Sequence, residues 1–178
     1  MPLLVLHAVS KSYGALKVTD DITLGKALLF PGAIEALGDL GDGLSTEVWW
    51  SPSHPFTSSL TKQSAKSLAE AYEAGTKKQW TQPIGFAHAL FEVAADTLSR
   101  AKSPKASDVR DAVAATSLST VVGPVKWGGE GPFRNVSRTP LVLGQWGKGA
   151  RFKYELTIVN NEAAPNIPVG GSLKPMPA

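Results

Sequence analysis

The stretch that decides the fold is residues 41–56, GDGLSTEVWWSPSHPF. Its middle, LSTEVWW, is rich in β-branched and aromatic residues and predicts a strand. The Gly and Asp residues before it and SPSHP after it are turn formers, so the strand should end on both sides. Along a strand, Trp49 and Trp50 must point to opposite faces. One of them can therefore pack in a core while the other lines a surface or a cleft.

Three helices are predicted after this strand. Residues 57–74 have a helical period, and Gly75 suits the C-terminal cap. Residues 84–101 follow WTQP and form a second helix, and Ser107 suits the N-cap of a third. The apolar stripe of the second helix, which should face the core, comprises Ile84, Ala87, Leu90, Phe91, Ala94, Leu98 and Ala101.

Strands are predicted on both sides of the helices. Residues 3–9 and 16–24 form a pair around SKSYGA, with Gly14 at the turn. Residues 119–127, 139–146 and 151–159 are further strands, and GKGA between the last two predicts a hairpin turn. The Pro- and Gly-rich residues 160–178 predict an extended tail. The order predicts an α/β fold, with helices packed on a mixed sheet and an N-terminal strand pair.

Composition excludes several classes of protein. The chain has 178 residues, 43% of them hydrophobic and 19% charged, which is typical of a globular protein of one domain or slightly more. Its net charge is only +3 and its basic residues are spread out, which argues against nucleic-acid binding. The absence of cysteine excludes disulfides, thiolate metal sites and a cysteine nucleophile.

No catalytic constellation is present, so the chain is not expected to be an enzyme. The Gly-Lys pairs at residues 25–26 and 147–148 lack both the first glycine and the Ser or Thr of a phosphate loop. His7, His54 and His88 have no partner at metal-ligand spacing, and neither H-E-x-x-H nor G-x-S-x-G occurs. No metal and no cofactor are expected.

Asp42 and the paired tryptophans are the candidates for binding. One tryptophan could form an apolar wall for a small organic ligand, or both could be packing residues. Asp42 could face a ligand ammonium, although a loop aspartate beside glycines is also a common turn former. The residues alone leave both alternatives open.

Five segments resemble the C-terminal portion of type I substrate-binding proteins, which serve ABC importers of the branched-chain amino acid class. They are KALLFPGA, GDGLSTEVWWSPSHPF, QPIGFAHALFEVAADTLSRA, STVVGPVKW and PLVLGQW. The resemblance runs from about residue 26 to about residue 173. The resemblance implies a partial periplasmic-binding-protein-like fold with incomplete lobes. It also implies that Asp42 meets the ligand ammonium and that Trp50 and Phe86 line the cleft. The first lobe, with most of its ligand contacts, has no counterpart in this chain.

Residues 1–24 resemble a different protein, the N-terminus of the ATPase subunit of the same importer class. VSKSYGALKVTDDITL is similar to its first two strands, and Tyr13 matches the residue that stacks on adenine. The chain then divides into an ATPase-like strand pair at 1–25, a binding-protein-like region at 26–160 and a tail at 161–178. It resembles a fusion of the two importer components with the intervening sequence deleted.

Two functions follow from these resemblances. The first is a truncated solute-binding component that binds a small amino acid or related solute and docks on an importer permease. The second is a ligand-free remnant that acts at most as an interaction domain, with a homo-oligomer formed through an exposed apolar face. The family implies a periplasmic location, whereas MPLLVLHAV lacks a basic leader and a cleavage site, which would leave the chain in the cytoplasm.

Overall fold

The computed structural model describes residues 11–13, 16–19, 26–127 and 135–175. Helices and small antiparallel sheets make up this part of the chain, so the predicted α/β class is confirmed. The described residues form two compact units. One contains the chain up to Val48 and from Val142 onward, and the other is Trp49–Leu141.

A three-stranded antiparallel sheet organises the first unit. Its strands are β3 (Ser45–Val48), β6 (Val142–Lys148) and β7 (Tyr154–Asn160), with β6 in the centre. A 3-10 helix (Lys26–Leu29), α1 (Pro31–Ala36) and another 3-10 helix (Gly38–Gly41) precede the sheet. The core of this unit contains Ile34, Leu44, Trp146 and Tyr154.

Two buried aromatic side chains of this sheet form hydrogen bonds with the 3-10 helices that precede it. The Trp146 indole N–H donates to the Leu28 carbonyl at 2.7 Å, and the Tyr154 hydroxyl donates to the Gly38 carbonyl at 2.6 Å. Each aromatic ring therefore contributes both apolar burial and a hydrogen bond for its polar end. Hydrogen bonds that join residues more than 100 positions apart fix the chain segments of this unit to each other.

The predicted C-terminal tail lies against the first unit. Ile167 is fully buried, and the Asn161 side-chain amide donates to its carbonyl at 2.7 Å. Further along, the Gly170 N–H donates to the Ile158 carbonyl of β7 at 2.9 Å. The tail is therefore packed on the sheet and contributes to the surface of this unit.

Three helices and a β-hairpin form the second unit. They are α2 (Ala65–Thr76), α3 (Pro83–Arg100), α4 (Ala106–Ala114), β4 (Ser117–Thr120) and β5 (Gly123–Lys126). Its core comprises Trp50, Ala65, Ala69, Ala89, Val121, Val122 and Val125. Small residues on α2 and α3 leave room for the Trp50 indole, which is the largest side chain in this core.

The predicted start of the first long helix is wrong. Residues 57–64 form a loop instead, because the Ser58 hydroxyl accepts from the backbone N–H groups of Leu60 and Thr61. Such side-chain acceptors stabilise turns at the expense of helix. The helix starts after Ser64, whose hydroxyl accepts from the Ser67 N–H. Its left-handed C-terminal residue is Lys77, with φ of 61°, so Gly75 lies inside the helix.

The second long helix is confirmed, but its core-facing side differs from the predicted stripe. Leu90, Phe91 and Leu98 are 67–68% exposed. The buried residues of α3 are instead Gly85, Ala89, Glu92 and Thr97. Hydropathy alone favours the leucines, whereas the close packing of α3 on Trp50 requires small residues.

The strand predictions are partly wrong. Every described strand pair is antiparallel, so three small antiparallel sheets replace the expected mixed sheet. Residues 119–127 turn at Gly123, with φ of 105°, and belong to the β4–β5 hairpin. The N-terminal pair is β1 (Lys11–Tyr13) with β2 (Leu16–Thr19), so β1 falls within the predicted connection. The predicted strand at 3–9 and the turn at Gly14 lie outside the described residues.

The third helix begins one residue before the predicted N-cap Ser107, at Ala106. The division of the chain into 1–25, 26–160 and 161–178 by likeness to two proteins stays a prediction. Each helix within the described ranges is too short or too polar to cross a bilayer.

Candidate functional site

Asp42 lies at the edge of the first unit, between the second 3-10 helix and β3. Its backbone is extended, and Gly43 follows with φ of 82°, a conformation that favours glycine. The Gly43 N–H donates to the Trp146 carbonyl at 2.9 Å, and one Asp42 carboxylate oxygen accepts from the Lys148 N–H at 3.2 Å. Asp42 is therefore a turn residue that also holds the end of β6.

The Asp42 groove is an open depression in the first unit with a volume of about 460 Å³. A volume of this order suits a small organic molecule. The walls consist of the Asp42–Gly43 turn, the end of β6, the outer part of β7 and the C-terminal segment. The residues that line it are Asp42, Gly43, Gln145, Trp146, Gly147, Lys148, Thr157, Val159, Gly170, Gly171, Ser172, Lys174 and Pro175.

One of the two lysines of the groove is already paired. The Lys148 ammonium lies 2.9 Å from the Asp39 carboxylate, and both side chains are exposed. This hydrogen bond lowers the pKa of Asp39 and raises the pKa of Lys148. Lys174 has no ion pair among the described residues. Asp42 also lines the groove, and its carboxylate contributes to the raised pKa of Lys148.

Gln145 joins two walls of this groove. Its amide nitrogen donates to the Gly43 carbonyl at 2.8 Å and to the Lys174 carbonyl at 2.7 Å. Its amide oxygen accepts from the Lys174 N–H at 3.0 Å. The side chain is buried, and its bond to the Gly43 carbonyl is shielded from water, whereas the two bonds to the Lys174 backbone are partly buried. A single side chain therefore fixes the Asp42–Gly43 turn and the backbone of Lys174.

Trp50 belongs to the core of the second unit and is fully buried. Its indole packs edge-on against Trp80, with ring centroids 6.0 Å apart. A ligand at the surface of this unit does not reach Trp50 in this structure. Trp49, its neighbour, is only half-buried. The two side chains have the opposite environments that their adjacent positions predict, and Trp50 is the one in the core.

Phe86 is half-buried on α3 and packs edge-on against Trp49, with ring centroids 6.1 Å apart. It also contacts the core that contains Trp50. Phe86 and Trp50 are thus brought together within the second unit, and the accessible aromatic pair is Trp49 with Phe86. Whether Phe86 contacts a ligand stays a prediction.

The loop residue Ser58 lies close to His88 and Glu92 of α3, but the three do not form a catalytic triad. His88 Nε2 lies 2.8 Å from the Ser58 hydroxyl and 3.9 Å from a Glu92 oxygen, so both partners approach the same ring nitrogen. In a triad, the acid holds the other nitrogen. The Ser58 hydroxyl also accepts two backbone N–H groups and is buried. This cluster has a structural role.

Glu92 was not predicted from the sequence and is the central polar residue of the second unit. One carboxylate oxygen accepts from the Ser59 N–H at 2.6 Å and from the Ser59 hydroxyl at 2.8 Å. The other accepts from the Val121 N–H at 3.0 Å. The available signal was its position one helical turn after Ala89, on the side of α3 that carries small residues. In the described part of the chain, no cluster of His, Asp and Glu is arranged to hold a metal.

Solved binding proteins have a similar fold. The leucine-, isoleucine-, valine-, threonine- and alanine-binding protein from Brucella ovis, in its closed conformation, aligns with a TM-score of 0.63 and 15% identity over 88% of this chain. The leucine-binding protein LivK from Thermotoga maritima aligns with a TM-score of 0.54 and 17% identity over 74% of this chain. A solute-binding protein of an R. palustris ABC transporter, in complex with benzoate, aligns with a TM-score of 0.54 and 19% identity over 80% of this chain.

These likenesses confirm the partial periplasmic-binding-protein-like fold. The alignments cover 40%, 35% and 38% of the three solved chains, so this chain corresponds to less than half of each. No family model and no curated protein matches the sequence. None of these comparisons supports the resemblance of residues 1–24 to an importer ATPase, which stays a prediction.

Proposed function

We propose that this chain is a non-enzymatic solute-binding module of the ABC importer class and that it binds a small amino acid or a related organic solute. The observation that carries the proposal is the Asp42 groove, an open groove in a chain whose fold resembles part of an amino-acid-binding protein and part of a solute-binding protein solved with benzoate. In this proposal Asp42, one of the residues that line the groove, accepts the ammonium of the solute. Trp50 has no ligand contact in this proposal, since it is buried.

The proposal also includes a partner and a location, both taken from solute-binding proteins of ABC importers. The partner of this chain would be an importer permease, and its location would be the periplasm. The absence of a phosphate loop in the sequence and the wrong geometry of the Ser58–His88–Glu92 cluster support a role without catalysis. The groove walls expose about as much polar as apolar surface, which supports a small solute that has both a polar and an apolar part.

A thermal melt with candidate solutes tests this function. The panel is leucine, alanine, threonine and benzoate, which the names of the fold relatives suggest. A solute at 100 times its Kd should stabilise the chain by about 2.7 kcal/mol and raise Tm by several degrees. Asp42→Asn should abolish the shift for the amino acids, whereas Glu35→Gln, an exposed change in the same unit, should leave it intact. A wild-type Tm that no solute raises would contradict the proposal.

A second candidate function rests on α3. Leu90, Phe91 and Leu98 are 67–68% exposed and lie on the same helix, which favours an interaction domain without a ligand. In that case sedimentation of the chain should show a concentration-dependent dimer, and Phe91→Glu should convert it to a monomer. A monomer at all concentrations would leave α3 without a role in self-association.

A further inference from the structure

The C-terminal segment forms one wall of the Asp42 groove without entering the core of the first unit. Ile167 is fully buried, but from residue 168 to residue 175, where the described part of the chain ends, every residue is exposed except the half-buried Leu173. We call residues 168–175 the strap. The strap residues that line the groove are Gly170, Gly171, Ser172, Lys174 and Pro175.

Hydrogen bonds attach the strap to the sheet at two places. The Gly170 and Gly171 N–H groups donate to the Ile158 carbonyl of β7, at 2.9 Å and 3.3 Å. At the other end, the Lys174 N–H donates to the Gln145 side-chain oxygen at 3.0 Å, and the Lys174 carbonyl accepts from the Gln145 amide nitrogen at 2.7 Å. A segment with few buried apolar groups and accessible hydrogen bonds opens at a small cost compared with the unfolding of the whole unit.

Two glycines let the strap lie closely on β7. A Cβ atom built on either Gly170 or Gly171 would lie 3.2 Å from Thr157 Cγ2, a tighter approach than most side chains make. Thr157 also lines the groove, so the wall continues from β7 into the strap. Glycine has more backbone freedom than any other residue, and the same two positions are therefore suited to act as a hinge.

Gln145 has supports that do not depend on the strap. It lies on β6, the central strand, where it pairs with Ser45 of β3 and Thr157 of β7. Its amide nitrogen also donates to the Gly43 carbonyl at 2.8 Å. When the strap leaves, the Gln145 oxygen loses its Lys174 partner, and the cost of an unpaired polar atom favours the return of the strap. Gln145 therefore has the properties of a fixed latch for a movable segment.

We propose that residues 168–175 are a detachable strap, latched by Gln145, that retains a solute in the Asp42 groove. The solute contacts the complete groove wall only while the Lys174–Gln145 pair is closed. Docking of the strap and binding of the solute therefore stabilise each other. This inference rests on the proposed function and concerns how the same groove retains its solute, whichever solute it takes.

Amide hydrogen exchange of the unliganded chain, followed by NMR, tests whether the strap opens. The Lys174 amide should exchange through local opening, and its protection factor should not change at low concentrations of urea. The Trp146 amide, which donates to the Leu44 carbonyl at 2.8 Å within the sheet, should exchange only when the unit unfolds. Equal protection factors for the two amides, falling together with urea, would overturn the inference, because the strap would then be a static part of the unit.

Two variants separate the latch from a general effect on stability. Gln145→Met keeps the length of the side chain and removes both bonds to Lys174, so the protection factor of the Lys174 amide should fall at least about fivefold, and by more than that of Trp146. Gly170→Pro removes a donor from an exposed residue, leaves Gln145 intact and should act in the same direction, so it serves if Gln145→Met fails to fold. Glu162→Gln, an exposed change outside the strap and the groove, is the matched control and should leave the protection of Lys174 unchanged.

The four solutes of the thermal melt, leucine, alanine, threonine and benzoate, test the coupling. A solute at 100 times its Kd should raise the protection factor of the Lys174 amide at least about tenfold, because the solute binds the docked strap. A solute that raises Tm and leaves this protection factor unchanged overturns the inference and leaves the solute-binding function standing. Unchanged Lys174 protection in both variants also overturns it. If no solute changes either Tm or the protection factor, the inference and the proposed function are both overturned.

Discussion

Gly85 of α3 lies directly against the indole of Trp50. A Cβ atom built on Gly85 would come within 2.3 Å of Trp50 Cγ, closer than any ordinary contact between carbon atoms. The close approach explains how a tryptophan can be fully buried in a unit of fewer than 100 residues. The helix contributes no side chain at this point, and the aromatic ring occupies the space.

Gly85→Ala should therefore destabilise the chain. The added methyl group meets the rigid indole ring rather than a flexible chain end, and overpacking of this kind costs about 1–3 kcal/mol. Gly75→Ala in α2 is the matched control, because no atom lies within 4 Å of a Cβ there. It should stabilise by about 0.4–1 kcal/mol through the unfolded state. Urea denaturation of both variants measures the difference, and equal midpoints would show that α3 does not pack on Trp50 this closely.

Glu92→Gln should be strongly destabilising although it changes only one atom. The carboxylate accepts from the N–H and hydroxyl of Ser59 and from the N–H of Val121. An amide would present an NH₂ group to one of these backbone donors, and a buried unsatisfied donor costs about 1–3 kcal/mol. The free energy of unfolding, measured in urea, should fall by that amount.

Glu70→Gln is the control for this change, because Glu70 forms only an exposed pair with Lys66 at 3.9 Å. Exposed pairs of this kind contribute at most about 1 kcal/mol and often nothing measurable. If Glu70→Gln lowered the free energy of unfolding as much as Glu92→Gln does, the buried hydrogen bonds of Glu92 would not be the cause of the loss, and the prediction would be wrong.

The sequence predicts where the helices of this chain lie better than it predicts which side of a helix faces the core. The helical period over residues 84–101 identifies α3, because an apolar repeat requires no knowledge of the partner surface. The side that faces the core depends on Trp50, which is 35 positions away from Gly85 in the sequence. Hydropathy therefore predicts that Leu90 and Leu98 face the core. In the structure a glycine and an alanine face it instead, because the large Trp50 ring leaves no room for longer side chains.

The candidate site was predictable to the same extent. Asp42 could be named from its turn and from the resemblance, and the structure places it in an open groove. Gln145 and Lys174 could not, since their connection is a pair of hydrogen bonds between the middle strand and the C-terminal segment. Trp49 and Trp50 carry no local signal that distinguishes them, so the alternation of faces was predictable and the choice between them was not.

The outward face of α3 should tolerate polar substitution. Phe91 and Leu98 are each 67% exposed, so Phe91→Gln and Leu98→Gln should change the free energy of unfolding by no more than about 0.5 kcal/mol in dilute solution. Ala89→Gln on the buried side of the same helix is the contrasting variant and should be strongly destabilising. A marked loss for Phe91→Gln that grows with protein concentration would show that a second copy covers this face.

The stability of the chain should fall in mild acid because of His54. This residue is buried, its Nδ1 accepts from the Ser51 N–H at 3.1 Å, and its Nε2 has no hydrogen-bond partner among the described residues. Burial lowers the pKa of His54 from 6.5 to about 4. Below pH 6.5 the unfolded chain binds a proton that the folded chain does not, so folding stability decreases as the pH falls toward 4 and this loss levels off below it.

The lowered pKa of His54 corresponds to a decrease of about 3 kcal/mol in the free energy of unfolding between pH 6.5 and 4. Urea denaturation at intervals across this range measures it, with His54→Asn as the reference, because an Asn side-chain oxygen can accept from the Ser51 N–H but cannot be protonated. The wild-type curve should fall toward that of the variant as the pH decreases. Parallel curves for the two proteins across the range would show that the His54 pKa is not lowered by burial and that the acid sensitivity lies elsewhere.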